Sequence, residues 1–139
     1  MAAGKLDAFG VVVRDLQRSV VFYRLLGAPF LQGSEVSEHG HAEAILEGGI
    51  RFMLDTEESI KSFAPAWQRG AGQSGAAVAF RCESAAAVDH LYAHAINAGG
   101  HAHKEPWDAF WGQRYAQLRD PDGNPVDLYS DLGVTDRNS

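Results

Sequence analysis

The chain has 139 residues, 45% hydrophobic and 22% charged, an ordinary globular composition with length for about one domain. Twelve Lys and Arg stand against 18 Asp and Glu, a formal charge of −6, which disfavours a phosphate backbone as partner. No apolar run nears the about 18–20 residues of a membrane helix, Met1–Leu6 lacks a secretory pattern, and the single Cys82 permits no internal disulfide, so a cytoplasmic protein is expected.

Phe9–Val13 is short, apolar and β-branched, and predicts a buried strand. Asp15 follows as an N-cap, and Leu16, Val20, Tyr23 and Leu26 recur at helical spacing. Gly27 and Pro29 end that helix. Strands are predicted at His41–Glu47 and Ile50–Asp55, joined by a Gly48-Gly49 turn. Thr56–Gly75 reads as a linker with one short helix around Glu57–Phe63 and a Gly-rich run at Arg69–Gly75. Ala76–Cys82 is the next strand. Ser84 caps a second helix with a Val88, Leu91, Ala95 stripe that ends at Gly99. A strand near His101–Lys104, a strand at Gln113–Arg119, the type I turn Asp120-Pro121-Asp122-Gly123-Asn124 and a strand at Val126–Ser130 complete the chain.

The second half repeats the order of the first. The caps Asp15 and Ser84 are 69 residues apart, and the hairpin glycines Gly49 and Gly123 are 74 apart. The expectation is an α+β fold within one domain, with βαβββ modules at 5–56 and 76–131 and a linker at 57–75. A module whose helix covers only one sheet face leaves the other bare. Two modules pairing into a curved mixed sheet would enclose a cavity.

Asp15-Leu16 with Ser19, Phe22-Tyr23 and Gly27, then Asp120-Pro121-Asp122-Gly123-Asn124, resembles the vicinal oxygen chelate superfamily. That superfamily contains glyoxalase I, extradiol dioxygenases and bleomycin-resistance proteins. A second set of residues resembles the mitomycin-binding resistance proteins. These are Glu47-Gly48-Gly49-Ile50-Arg51, Asp55-Thr56, Pro65-Ala66-Trp67-Gln68, and Pro106-Trp107 with Trp111-Gly112-Gln113-Arg114-Tyr115.

The superfamily's enzymes hold a divalent metal at four strand positions. The resemblance puts these on Ala8, Met53, Ala77 and Asp127, and the same offsets of 69 and 74 relate them. Alternation of side chains turns all four away from the helices. Ala and Met are not ligands for a hard or borderline cation, and one carboxylate makes no catalytic metal site. The expectation is therefore no metal, no cofactor and no catalytic residue of the usual superfamily type. Asp127 is then a lone inward carboxylate, either paired with Arg114 or Arg119 or free to accept a ligand N–H.

His39/His41 and His101/His103 are H-x-H pairs expected on strands, and His90/His94 lie one turn apart on a helix. The helical pair lies off the apolar stripe and lacks the Glu of a zinc-protease motif. Cys82 reads as a small core residue. No Gly-x-Ser-x-Gly elbow or phosphate loop occurs.

The resemblance implies a planar ligand sandwiched between His41 and Trp111, with Trp107 as a further aromatic wall. Arg51, Met53, Asp55, Tyr115, Gln117, Asp127 and Tyr129 would line the rest. His41 reads equally as an exposed strand-edge residue, and Trp67 and Trp107 as ordinary packing at the open ends of the sheet. The function expected is sequestration of a planar aromatic compound such as a mitomycin- or bleomycin-like antibiotic. The alternative is a metal-dependent lyase, isomerase or dioxygenase with non-standard ligands such as His41, Glu43 and Asp127, and a third reading is an accessory domain without a small ligand. A homodimer is expected, with no nucleic acid or membrane partner.

Overall fold

A computed structural model describes residues 3–70 and 75–133. Residues 71–74, within the Gly-rich run read as linker, lie outside the described residues. The chain divides into two compact units, Met1–Arg69 and Gly70–Ser139.

In the first unit, β1 (Ala8–Val13) is followed by α1 (Leu16–Leu26), β2 (His41–Ile45), β3 (Arg51–Thr56) and α2 (Glu57–Phe63). The strand order is β1-β3-β2, with β1 parallel and β2 antiparallel to β3. Asp15 starts α1 by accepting from the Arg18 N–H at 3.0 Å. Gly27 ends it at φ 115°, a conformation that a side chain would strain. The α1 side of the sheet buries Ala42, Ala44, Phe52 and Leu54 against Val20, Phe22 and Tyr23. Phe52 is the centre of this core, with Phe9 stacked on it at 4.8 Å and the Tyr23 ring edge-on at 5.1 Å.

Among the described residues this unit forms three strands, in the order βαββ where βαβββ was expected. The reason lies in residues 28–40. Arg24 donates to the Phe30 carbonyl at 3.0 Å and the Leu31 carbonyl at 2.9 Å, and it pairs with Glu35 at 3.2 Å. The segment forms turns, with the Ser34 N–H on the Leu31 carbonyl and the Val36 N–H on the Gly33 carbonyl, both at 3.1 Å. His39 accordingly precedes β2, so His39 and His41 do not share a strand.

In the second unit, β4 (Val78–Arg81), α3 (Ala85–Asn97), β5 (His101–Ala109), β6 (Gln113–Arg119) and β7 (Pro125–Asp131) form the expected βαβββ order. The strands lie β4-β7-β6-β5, with β4 parallel to β7 and the rest antiparallel. Val88, Tyr92 and Ala95 of α3 are buried with Ala116, Leu118, Val126 and Leu128. Tyr92 takes the place expected for Leu91, which is only half-buried. The strand β5 reaches Ala109, well past Lys104, and so carries Trp107 in the sheet where a loop was expected.

The β6–β7 turn is fixed by Asp120, which is fully buried. Its carboxylate accepts from the Asp122 N–H at 2.8 Å, the Asn124 N–H at 2.9 Å and the Asn124 side-chain amide at 2.8 Å. The Gly123 N–H closes the turn onto the Asp120 carbonyl at 2.9 Å.

Candidate functional site

Each sheet has one face covered by its helix and one face of polar and aromatic side chains. On β3, Phe52 and Leu54 are buried while Arg51, Met53 and Asp55 alternate with them on the other face. The register brings Asp55 opposite His41 and Met53 opposite Glu43.

The first unit's open face is a chain of charges. His41 Nδ1 lies 2.6 Å from Asp55 Oδ1, and Nε2 lies 2.9 Å from Glu43 Oε2. Arg51 donates to Glu43 at 2.7 Å and to Asp7 at 2.6 Å. Both ring nitrogens of His41 face carboxylate oxygens, so both are served only when both carry protons. Partial burial alone would lower its pKa. The hydrogen bonds and charges of Glu43 and Asp55 together outweigh burial and hold it above the ordinary histidine value. Glu43 is pulled the opposite way, below the ordinary carboxylate range, chiefly by the hydrogen bond from His41 and then by Arg51.

The second unit's open face is aromatic. Trp107, Trp111, Tyr115 and Tyr129 form a continuous cluster. The Trp111 and Tyr115 ring centroids are 5.4 Å apart, those of Trp107 and Tyr115 5.6 Å, and Tyr115 and Tyr129 stack at 6.0 Å. Cations sit on two of these rings, Lys104 at 4.0 Å from the Trp107 centroid and Arg81 at 5.1 Å from that of Tyr129. Trp111 precedes β6, remains 49% exposed, and donates its indole N–H to Gln113 at 2.8 Å. Tyr115 donates to Asp127 at 2.6 Å, and burial together with the Asp127 carboxylate pushes its phenol up to about 12.

Asp127 therefore has Tyr115 as its partner, and of the two readings left open the pairing with Arg114 or Arg119 is not the one formed. Arg114 lies on the helix side, where it pairs with Asp89 of α3 at 2.9 Å and with Asp108 at 3.2 Å. Arg119 donates to the Gly123 carbonyl at 3.2 Å. Gln117 stands opposite Asp127 across β6 and β7. Cys82 follows β4, is half-buried, and its thiol is pushed up by burial. The helical His90 and His94 are both exposed.

The four positions that the resemblance gives to a metal do not fit one. Ala8, Met53 and Ala77 bring no ligand atom that a hard or borderline cation takes, and Asp127 is a single carboxylate already hydrogen-bonded. Among the described residues no three His, Cys, Asp or Glu side chains converge on one point. His41, Glu43 and Asp55 are close, but the carboxylates meet opposite edges of the imidazole. Sequence reasoning missed Lys104 and Arg81 as partners of the aromatic rings. The register shifts in β5 between Ala102 and Trp107 remove the parity signal that would have placed Lys104.

Residues 5–128 match the Glyoxalase/Bleomycin resistance protein/Dioxygenase superfamily, and the chain belongs to it. A glyoxalase/bleomycin resistance protein/dioxygenase family enzyme from Burkholderia phytofirmans PsJN has a similar fold, with TM-score 0.76, 20% identity, and 93% of this chain and 100% of that one covered. A glyoxalase/bleomycin resistance protein/dioxygenase from Nocardioides gives 0.68 at 21% identity over 96% and 87%. A glyoxalase/bleomycin resistance protein from Albidiferax ferrireducens T118 gives 0.64 at 27% identity over 89% and 97%. No curated protein matches the chain. No helix among the described residues is long and apolar enough to cross a membrane.

Proposed function

We propose that this protein binds and sequesters a planar aromatic small molecule without a metal, as a bleomycin-resistance-type member of its superfamily. The observation that carries this reading is the aromatic face of Trp107, Trp111, Tyr115 and Tyr129. Such a face gains affinity from any flat ligand and needs no bond-making chemistry. The ligand class is a mitomycin- or bleomycin-like antibiotic, and binding alone lowers its free concentration. His41 supplies a second flat ring in this reading, with Arg51, Met53 and Asp55 beside it. Gln117 and Asp127 supply polar edges. The active form is a homodimer.

The metal-dependent alternative is less well supported. To coordinate through its ring, His41 must first give up a carboxylate hydrogen bond, and its raised pKa opposes the deprotonation that coordination requires.

Intrinsic tryptophan fluorescence, titrated with mitomycin C, bleomycin and 1,4-naphthoquinone, tests the proposal. At least one compound is expected to quench saturably. Each aromatic contact contributes about 0.5–1.5 kcal/mol, so Trp111→Ala should weaken binding about two- to twelvefold. No saturable quenching, or equal affinity in the variant, overturns the reading.

A further inference from the structure

The second unit contains a cavity of about 240 Å³ lined by residues 75–77 together with His103, Gln117, Leu118, Arg119, Pro125 and Asp127. It lies on the open face of β6 and β7, on the far side of Asp127 from the aromatic cluster. Its polar groups are under-used. Asp127 holds one hydrogen bond, from Tyr115 to Oδ2. Arg119 spends one of its five N–H donors, on the Gly123 carbonyl. The side chains of Gln117 and His103 make no hydrogen bond among the described residues.

Charge is the second observation. Arg119 and Asp127 carry opposite charges and line the same cavity, yet they do not pair with each other. The register explains this. Arg119 stands opposite Pro125, and Gln117 stands opposite Asp127, so the two charges occupy diagonal positions on neighbouring strands. Such positions are about 7–8 Å apart at the backbone. Tyr115 draws the carboxylate toward the aromatic end, and the turn carbonyl of Gly123 draws the guanidinium the other way. The result is a small cleft with an anion on one wall and a cation on another, with the Gln117 amide near both and the His103 imidazole on the rim.

We propose that this cleft binds a zwitterion: a free amino acid of small size, or the amino-carboxylate portion of a larger ligand. The ammonium end goes to Asp127 and the carboxylate end to Arg119, where a guanidinium offers paired donors in the geometry a carboxylate accepts. Gln117 donates to the carboxylate or accepts from the ammonium. Neither a simple anion nor a simple cation satisfies both walls, so the cleft selects for two opposite charges held a few bonds apart. The cleft shares Gln117 and Asp127 with the proposed aromatic site and extends that reading, while Arg119 belongs to the cleft alone.

The test is backbone amide NMR of the full chain titrated with glycine, β-alanine and 4-aminobutanoate, and separately with acetate and ethylammonium. At least one zwitterion should shift the signals of Gln117, Arg119 and Asp127 saturably. The half-ligands should bind at least tenfold more weakly. Arg119→Gln and Asp127→Asn should each weaken zwitterion binding about tenfold or more. The Arg119→Gln variant should leave quenching by the planar compounds unchanged, which separates failure of this inference from failure of the sequestration reading. Silence from all three zwitterions, or equal binding of acetate or ethylammonium, overturns the proposal.

Discussion

At the residue scale, His41 holds a carboxylate on each ring nitrogen. Its pKa is raised in the folded chain. A raised histidine contributes stability that is complete below its unfolded value, about 6.5, and is lost as pH rises through the higher folded value. The thermal midpoint of the native chain should therefore exceed that of His41→Gln most at the acid end of a series from pH 6 to pH 9. The gap should shrink toward pH 9. Partly exposed pairs contribute about 0–1 kcal/mol, which limits the gap to roughly 2–4 °C. A gap that is constant or widens with pH contradicts the assignment. Alternation along β2 and β3 already showed that His41, Glu43, Arg51 and Asp55 share a face. It does not show which of them touch, because that depends on rotamers and on cross-strand register. Asp127 teaches the same lesson. Parity allows a contact with either diagonal neighbour, Tyr115 or Arg119, and sheet twist brings one diagonal closer than the other. Arg114 is different, since parity beside Tyr115 turns it to the helix face, and the sequence carried that signal.

At the element scale, the β6–β7 turn is where sequence and structure agree most closely. Asp-Pro-Asp-Gly-Asn specifies the turn locally, and the buried Asp120 carboxylate satisfies two backbone N–H groups and the Asn124 amide. Asp120→Ala leaves those donors without their acceptor and should cost about 2–4 kcal/mol in chemical denaturation. Asp120→Asn, which keeps an acceptor oxygen, should lose less. A loss below about 1 kcal/mol for the alanine variant would contradict this account. Helices α1 and α3 were equally legible, because Asp15 and Ser84 accept from the N–H groups three residues on, as N-caps do. The strands were less so. The long β5 carries irregular pairing, so its side chains do not alternate in a way a period of two detects. The segment after α1 forms no strand, and its Phe30 and Leu31 carbonyls accept from Arg24, six and seven residues away.

At the scale of the whole molecule, the open faces are the features that call for a partner. The proposed homodimer should appear in light scattering as about twice the monomer mass at micromolar concentration. A monomeric mass across that range would remove the dimer from the proposal. The sequence by itself determined the caps and turns, the order of elements in the second unit, the faces of β2, β3, β6 and β7, and the side-chain types at the four positions that the resemblance gives to a metal. These are properties of local spacing and side-chain type, which neighbouring residues settle among themselves. Tertiary structure alone decided that His41 is held between two carboxylates, that Trp107 joins Trp111, Tyr115 and Tyr129 in one surface, and that Arg119 and Asp127 face one cleft without pairing. Each of these depends on strand register and side-chain direction between segments distant in sequence, and no local pattern encodes that.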